Sequence, residues 1–247
     1  MSLREGTGAL AVSAAEFTEH CRSGRVVAVK FGQPAMLAHE DTAGTPLLTK
    51  IWHRRQLFTS DRVIPYHHRF RRALEALRAL DVRVPRYRCH GHVVGGRARF
   101  VVYEPLPGLP LRSDYGAVRI PDLAELVSSL HARGVFFRGL HLGNVILGPD
   151  GSLGLIDVQD IRFFRRPLGR RRRERNIGIL CAHPADVAFM QEGRWSELVI
   201  AYCRCAGFSV ADAARMRGQV AAQIERRGAR RAARRQRRRR VVHAPPD

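Results

Sequence analysis

The stretch HARGVFFRGLHLGNVILGPDGSLGLIDVQD, His131 to Asp160, constrains this chain more than any other. A helical run stops at Gly134, a loop leads to Asn144, a short apolar strand follows, the turn PDGS reverses the chain, and a second apolar strand ends on Asp157. Singly these parts are common, since an Asn before a strand often forms a turn and an Asp at a strand end often serves as a cap. Their order is not common. It asks for a scaffold that presents a carboxamide and a carboxylate from the two ends of one hairpin.

Upstream, VVAVKF, AMLAHE and PLLTKIW are short apolar runs separated by the turns GQP and DTAG, which predicts an antiparallel meander of three strands by about residue 52. After Pro65, Phe70, Leu74, Leu77 and Leu80 recur at helical spacing with arginines on the other faces, so one amphipathic helix is expected to pack on the sheet. RYRCHGHVV and ARFVVYE, joined by Gly95-Gly96, read as a further hairpin, and PLPGLP stops regular structure like a hinge. The remainder reads as helical, with a helix from about Pro121 to Arg133 and others near 175–190, 194–206 and 210–225. The expected fold class is α+β. Its β-rich lobe covers residues 1–105, a mainly helical lobe covers 106–225, and a disordered arginine-rich tail covers 226–247.

The net charge of +21 rests almost wholly on arginine, because Lys30 and Lys50 are the only lysines among 43 basic residues. Such a charge attracts polyanions: nucleic acid through the basic tail, an anionic membrane surface, or a phosphorylated glycolipid. In the tail, RRGARRAARRQRRRR, self-repulsion is expected to oppose a stable helix, and the lack of aromatics gives no signal for base stacking. No run of 18 apolar residues exists, so no membrane-spanning helix is expected. Five cysteines without a C-x-x-C pair argue against a disulfide framework and for a reducing compartment. The expected location is cytoplasmic, with a peripheral place at the inner membrane. In RCHGH, Cys89 and His90 would face opposite sides of a strand, which argues against a metal site there.

In protein-kinase-like sites an Asp of the loop accepts the acceptor hydroxyl's proton, an Asn five residues on holds magnesium, and a second Asp after a hairpin binds metal. FRGLHLGN aligns with that loop, which puts Asn144 at the metal-binding Asn and Asp157 at the later Asp. Lys50 lies on the third expected strand, where such folds keep a lysine for the nucleotide phosphates. In a chain so rich in arginine, a lysine there suits a site preferring a compact ammonium. Glu75 is the only acid between Asp61 and Asp81, hence the only local candidate to pair with Lys50.

On the stretches TKIWHRRQLFTSDRVIPYHHRFRRALEALRALDVRVP, FVVYEPLPGLPLR and His131 to Phe163, the chain resembles the lipopolysaccharide kinase family, the Kdo and heptose kinases, and within it the toluene-tolerance-protein branch. The resemblance covers about residues 25–205. It implies a protein-kinase-like two-lobed fold, Mg-ATP as donor, and a sugar hydroxyl of a lipopolysaccharide core or similar polyol as acceptor. It also implies that Lys50 holds phosphates while Asn144 and Asp157 hold magnesium.

Two departures bear on activity. No G-x-G-x-x-G lies between the opening strands, where only Gly32 appears, and Gly139 stands where active relatives keep the proton-accepting Asp. His141, two residues on, is the substitute candidate, because a neutral imidazole can accept a proton near neutral pH. The alternative is a pseudokinase, a regulatory or scaffold protein with a polyanion-binding tail.

Overall fold

The computed structural model describes residues 7–53, 65–191 and 193–242, and the chain divides into two compact units. The first unit comprises residues 1–108 and 146–160, and the second comprises 109–145 and 161–247. The expected boundary after residue 105 thus lies three residues short of the observed one, and the hairpin that ends in Asp157 goes with the first unit. Part of the family-like stretch, residues 54–64, lies outside the described residues.

The first unit is a six-stranded sheet built from β1 (Gly8–Val12), β2 (Arg25–Lys30), β3 (Gln33–Glu40), β4 (Pro46–His53), β5 (Arg86–Val93) and β6 (Ala98–Glu104). Their spatial order is β1-β5-β6-β4-β3-β2. The expected meander is β2-β3-β4, antiparallel throughout, with Met36 opposite Lys50 and Lys50 opposite Val101. β2 and β3 are joined by Phe31 and Gly32, both at positive φ, so the turn is a tight primed hairpin.

Alternation along β4 sets the two faces of the sheet. Leu47, Thr49 and Ile51 are buried on one side, where they join Phe100, Val102 and Cys89 in a core closed by Phe17 of α1 (Ala14–Ser23). Lys50 and Trp52 point to the other side, toward Phe70 of α2 (Tyr66–Arg78). The sheet therefore carries a helix on each face, where one helix was expected. β1 is a further addition: it pairs parallel to β5, and Gly91 permits this because a Cβ there would stand 2.3 Å from the Leu10 carbonyl oxygen.

The second unit begins with the two-residue β7 (Leu109–Pro110) and then α3 (Ile120–Ala132), whose Leu123, Ala124, Val127 and Leu130 are buried. β8 (Val135–Phe137) pairs antiparallel with β11 (Ile161–Phe163). Between them in sequence lie β9 (Val145–Leu147) and β10 (Leu153–Leu155). α4 (Arg170–Cys181), α5 (Val187–Gln191), α6 (Arg194–Cys205) and α7 (Val210–Val242) complete the unit.

The disordered tail expected from residue 226 is corrected by α7, which runs unbroken to Val242. Met216 and Val220 bury its first half, arginine is itself a good helix former, and Arg231 donates to the Ala182 carbonyl at the end of α4. A helix already nucleated by packing propagates through charge repulsion that would defeat it in isolation. Among the described residues, no helix is long and apolar enough to cross a membrane.

Candidate functional site

In the first unit the Lys50 ammonium donates to the Asp157 carboxylate and to Gln159 Oε1, the latter at 3.1 Å. It is held over the rings of Trp52 and Phe70, each 5.4 Å away, so the charge is oriented by both ion pairing and aromatic faces. Asp157 has φ 56°, in the left-handed region that costs a non-glycine residue of order 1 kcal/mol or more. Asp tolerates that region better than most residues, and the strained backbone turns its carboxylate onto Lys50. The segment carrying it is fixed by the Leu155 amide donating to the Arg83 carbonyl at 2.8 Å and by an Arg83–Asp150 ion pair at 2.9 Å.

The expected pairing of Lys50 with Glu75 is corrected: Glu75 bonds Arg71, four residues away on the same helix, at 2.6 Å. Glu75 lies off the apolar stripe of α2 on its solvent side, where an i,i+4 arginine is the nearest counter-charge. The lysine instead takes the Asp and Gln that follow β10.

The loop of the second unit is anchored from several sides. Phe137 exchanges two hydrogen bonds with the Asn176 side chain, its amide to Oδ1 at 3.2 Å and its carbonyl from Nδ2 at 2.7 Å. Asn176 Oδ1 also bonds His131, which is fully buried and meets the Tyr202 hydroxyl at 2.9 Å. Burial lowers the His131 imidazole to about 4, so it stays neutral. His131 is thus an anchor of the loop.

Asn144 is buried, and its Nδ2 donates to the Gly139 carbonyl at 2.9 Å, which commits the amide end inward and leaves Oδ1 as the acceptor end for a cation. Around Gly139 there is little space. A Cβ there would lie 2.8 Å from the buried Phe137 ring and 3.3 Å from Asn144 Nδ2.

His141 belongs to a cluster that sequence reasoning did not find. Asp186, fully buried, accepts from Arg112 Nε at 2.7 Å and Nη2 at 2.9 Å, from the Tyr115 hydroxyl at 3.0 Å, and from the Leu142 amide at 3.0 Å. Burial pushes the Asp186 carboxyl up, but the arginine fork, the amide and the hydroxyl outweigh it and hold it below the usual range. Arg112 Nη2 also lies 3.1 Å from His141 Nδ1 and 3.0 Å from His183 Nδ1. Because a guanidinium only donates, both imidazoles accept at Nδ1. His183 is lowered by burial and by Arg112, while Asp186 raises it.

The ligand atoms of His141, His183 and Asp186 lie close enough together for a metal ion, but the guanidinium already supplies the cation in their midst. The base role expected of His141 meets the same obstacle, since a proton arriving at Nδ1 would break the Arg112 bond and set two cations side by side. Arg112 and Asp186 are 74 residues apart and carry no local motif, so no spacing pattern could reveal them.

In the first unit, His90 lies with His67 and His68 rather than with Cys89. Burial, His68 and Arg99 push His67 down to about 3, and burial with Arg71 and Arg99 lowers His68, so the cluster lies in a positive field.

No protein-family profile matches the chain. Over 114 residues, 37% of this chain, it is 32% identical to a protein of Streptomyces coelicolor described as a probable SapB synthase, and the match spans 12% of that protein's length. Among solved structures it is similar to the bifunctional kinase-methyltransferase WbdD, with a TM-score of 0.46 and 16% identity over 72% of this chain and 45% of that one. The chain thus spans less than half the length of each of these two proteins.

Proposed function

We propose that this chain is a kinase-like phosphotransferase that takes a phosphoryl group from Mg-ATP to a sugar hydroxyl of an anionic glycolipid such as a lipopolysaccharide core, or of a similar polyol. The single observation that carries the reading is Lys50 held on Asp157, with Asp157 in a left-handed backbone conformation. Strain kept at one carboxylate and matched to one oriented ammonium is what a preset phosphate and metal site requires.

The residues fit the implied cofactor. Asp157 and Asn144 each offer oxygen, the donor that magnesium prefers, and Lys50 offers a compact charge suited to a phosphate. When bound, Mg-ATP would supply the phosphoryl group with its charge neutralised by the metal. Lys50 would orient the phosphates, and Asp157 and Asn144 would hold the ion. His141 would position the loop through Arg112 and Asp186. General-base catalysis contributes about 10²–10⁴ in rate, so a loop without the Asp is expected to give a slow enzyme, driven by positioning and charge.

A second reading, a nucleotide-binding pseudokinase, is favoured by the closed space at Gly139. The two readings share the nucleotide and differ in turnover.

Calorimetric titration of Mg-ATP into the full chain at moderate salt, beside Asp157→Asn and Lys50→Ala, tests the proposal. The expected result is saturable, magnesium-dependent binding that weakens about tenfold or more in each variant, about 1.4 kcal/mol or more. Equal binding by wild type and Asp157→Asn would mean attraction to arginine alone and would end both readings. Binding without turnover on any sugar or polyol would select the second.

A further inference from the structure

Between α4 and α7, wholly within the second unit, lies a cavity of 1060 Å³. Ten arginines line it, against one carboxylate, Glu174. From the α4 side come Arg171 and Arg175, and just before Gly139 comes Arg138. From α7 come Arg215, Gln219, Gln223, the pairs Arg226-Arg227 and Arg230-Arg231, and Arg234, a recurrence every three or four residues that places them on one broad face.

That face puts its charge beside a second basic helix, where a solubilising charge run would be mixed with acids. Arg171, Arg175, Arg226 and Arg230 are exposed and Arg227 and Arg231 half-buried, so the guanidiniums line an open groove between two basic helices. Burial and the neighbours Arg175, Arg231 and Arg230 push the Arg227 guanidinium below its ordinary pKa. Local compensation is slight: Arg170 leans on Asp212, Arg231 caps a carbonyl, and Arg175 lies over Phe136. Like charges held together in this way destabilise the free protein, and an anion of high charge would relieve them.

The lining also selects the kind of anion. No Phe, Tyr or Trp lines the cavity, and its one ring, the His183 imidazole, is engaged by Arg112, so base stacking is not signalled there. The volume is that of a small-molecule site, and the forks from two helices suit several phosphoryl groups, each taken bidentately.

We propose that the α4–α7 cavity binds a compact, multiply phosphorylated anion, gripped by Arg171 and Arg175 on one side and Arg226, Arg227 and Arg230 on the other. An inorganic oligophosphate, a phosphorylated sugar and a phosphorylated lipid headgroup share this chemistry. The site is separate from Lys50 and Asp157, so it stands or falls apart from the proposed activity.

The test is titration of inorganic tripolyphosphate into the full chain at 0.15 M and 0.5 M salt, both on the order of physiological screening or above. Arg227→Gln/Arg230→Gln is compared with a charge-matched control, Arg204→Gln/Arg217→Gln, which removes two exposed arginines outside the cavity. Saturable binding, weakened about tenfold or more in the cavity pair and less than about twofold in the control, is expected. Relief of repulsion should also leave the cavity pair at least as heat-stable as wild type without ligand, which shows that it folds.

Equal weakening in both pairs would overturn the site in favour of diffuse charge. Tighter binding of a 20-nucleotide RNA than of tripolyphosphate, lost in the cavity pair, would overturn the compact ligand in favour of nucleic acid. Vesicles containing about 20% phosphatidic acid identify the source. Sedimentation with them, reversed by tripolyphosphate, assigns a lipid headgroup, and tripolyphosphate binding without sedimentation assigns a free anion; either supports the proposal.

Discussion

Asp186 shows how much a single side chain fixes here. It is fully buried, holds Arg112 by two hydrogen bonds, and takes the Leu142 amide, so it ties the loop to the body of the second unit. Asp186→Ala is expected to cost about 3–5 kcal/mol, because it strands a part-buried guanidinium as well as an amide. Denaturant unfolding would measure the loss, which a merely exposed pair would not produce. His131 makes a second expectation. Its folded value of about 4 lies below the unfolded 6.5, so the unfolded chain binds a proton that the folded one refuses. Stability is therefore complete above about pH 6.5 and falls as pH drops toward 4, by about 3 kcal/mol from this group, with His67 adding in the same direction. Thermal melts between pH 7 and 4 would show the decline, and a flat profile would contradict it. Lys50 and Asp157 were legible in the sequence because each sits at the end or middle of an apolar strand, whereas Glu75 misled because proximity in sequence says nothing of which way a helix face turns.

Among the elements, the three-strand meander and the helices α2 and α3 follow directly from apolar spacing and the turn residues between the runs. α1 was missed although it announces itself: Ser13 accepts from the Glu16 amide at 3.2 Å while Glu16 accepts from the Ser13 amide at 2.7 Å, a complete capping box. Ser13→Ala should cost about 1 kcal/mol, read as a lower denaturation midpoint. β1 had no comparable signal, because its parallel partner lies some eighty residues downstream, Gly8 beside Cys89. The basic part of α7 was read from charge alone, and charge alone omits the packed half that nucleates it. Ending the chain after Glu225 would remove the Arg231 contact to the Ala182 carbonyl along with the repulsion around Arg227. The first effect loosens the end of α4 and the second favours the remainder. Hydrogen exchange should therefore show faster exchange confined to the last turn of α4, near Cys181.

At the scale of the whole molecule, the chain leaves its first unit after residue 108 and returns to it for residues 146–160. That return delivers Asp157 to Lys50, which comes from β4 far upstream. A fragment of residues 1–108 would keep all six strands yet lack the partner of its only strand-borne lysine on that face. It should show sheet signal by circular dichroism and no magnesium-dependent nucleotide binding, whereas the proposed function predicts both for the full chain. The fold class was readable because it depends on the succession of element types, and the assignment of the hairpin to the first unit was not, because it depends on where a turn docks.

Gly139 has a consequence in time as well as in space. An aspartate codon lies one base from a glycine codon ending in a pyrimidine and two bases from the others, so an acid at this position is close by in mutational terms. Yet the buried Phe137 ring and the Asn144 amide stand where the new Cβ would go. An acid there therefore needs the Phe137 ring to shift or a smaller residue at 137. The closure acts as a ratchet: descendants of this sequence drift more readily into uses of the loop that glycine serves than into one that needs an acid there.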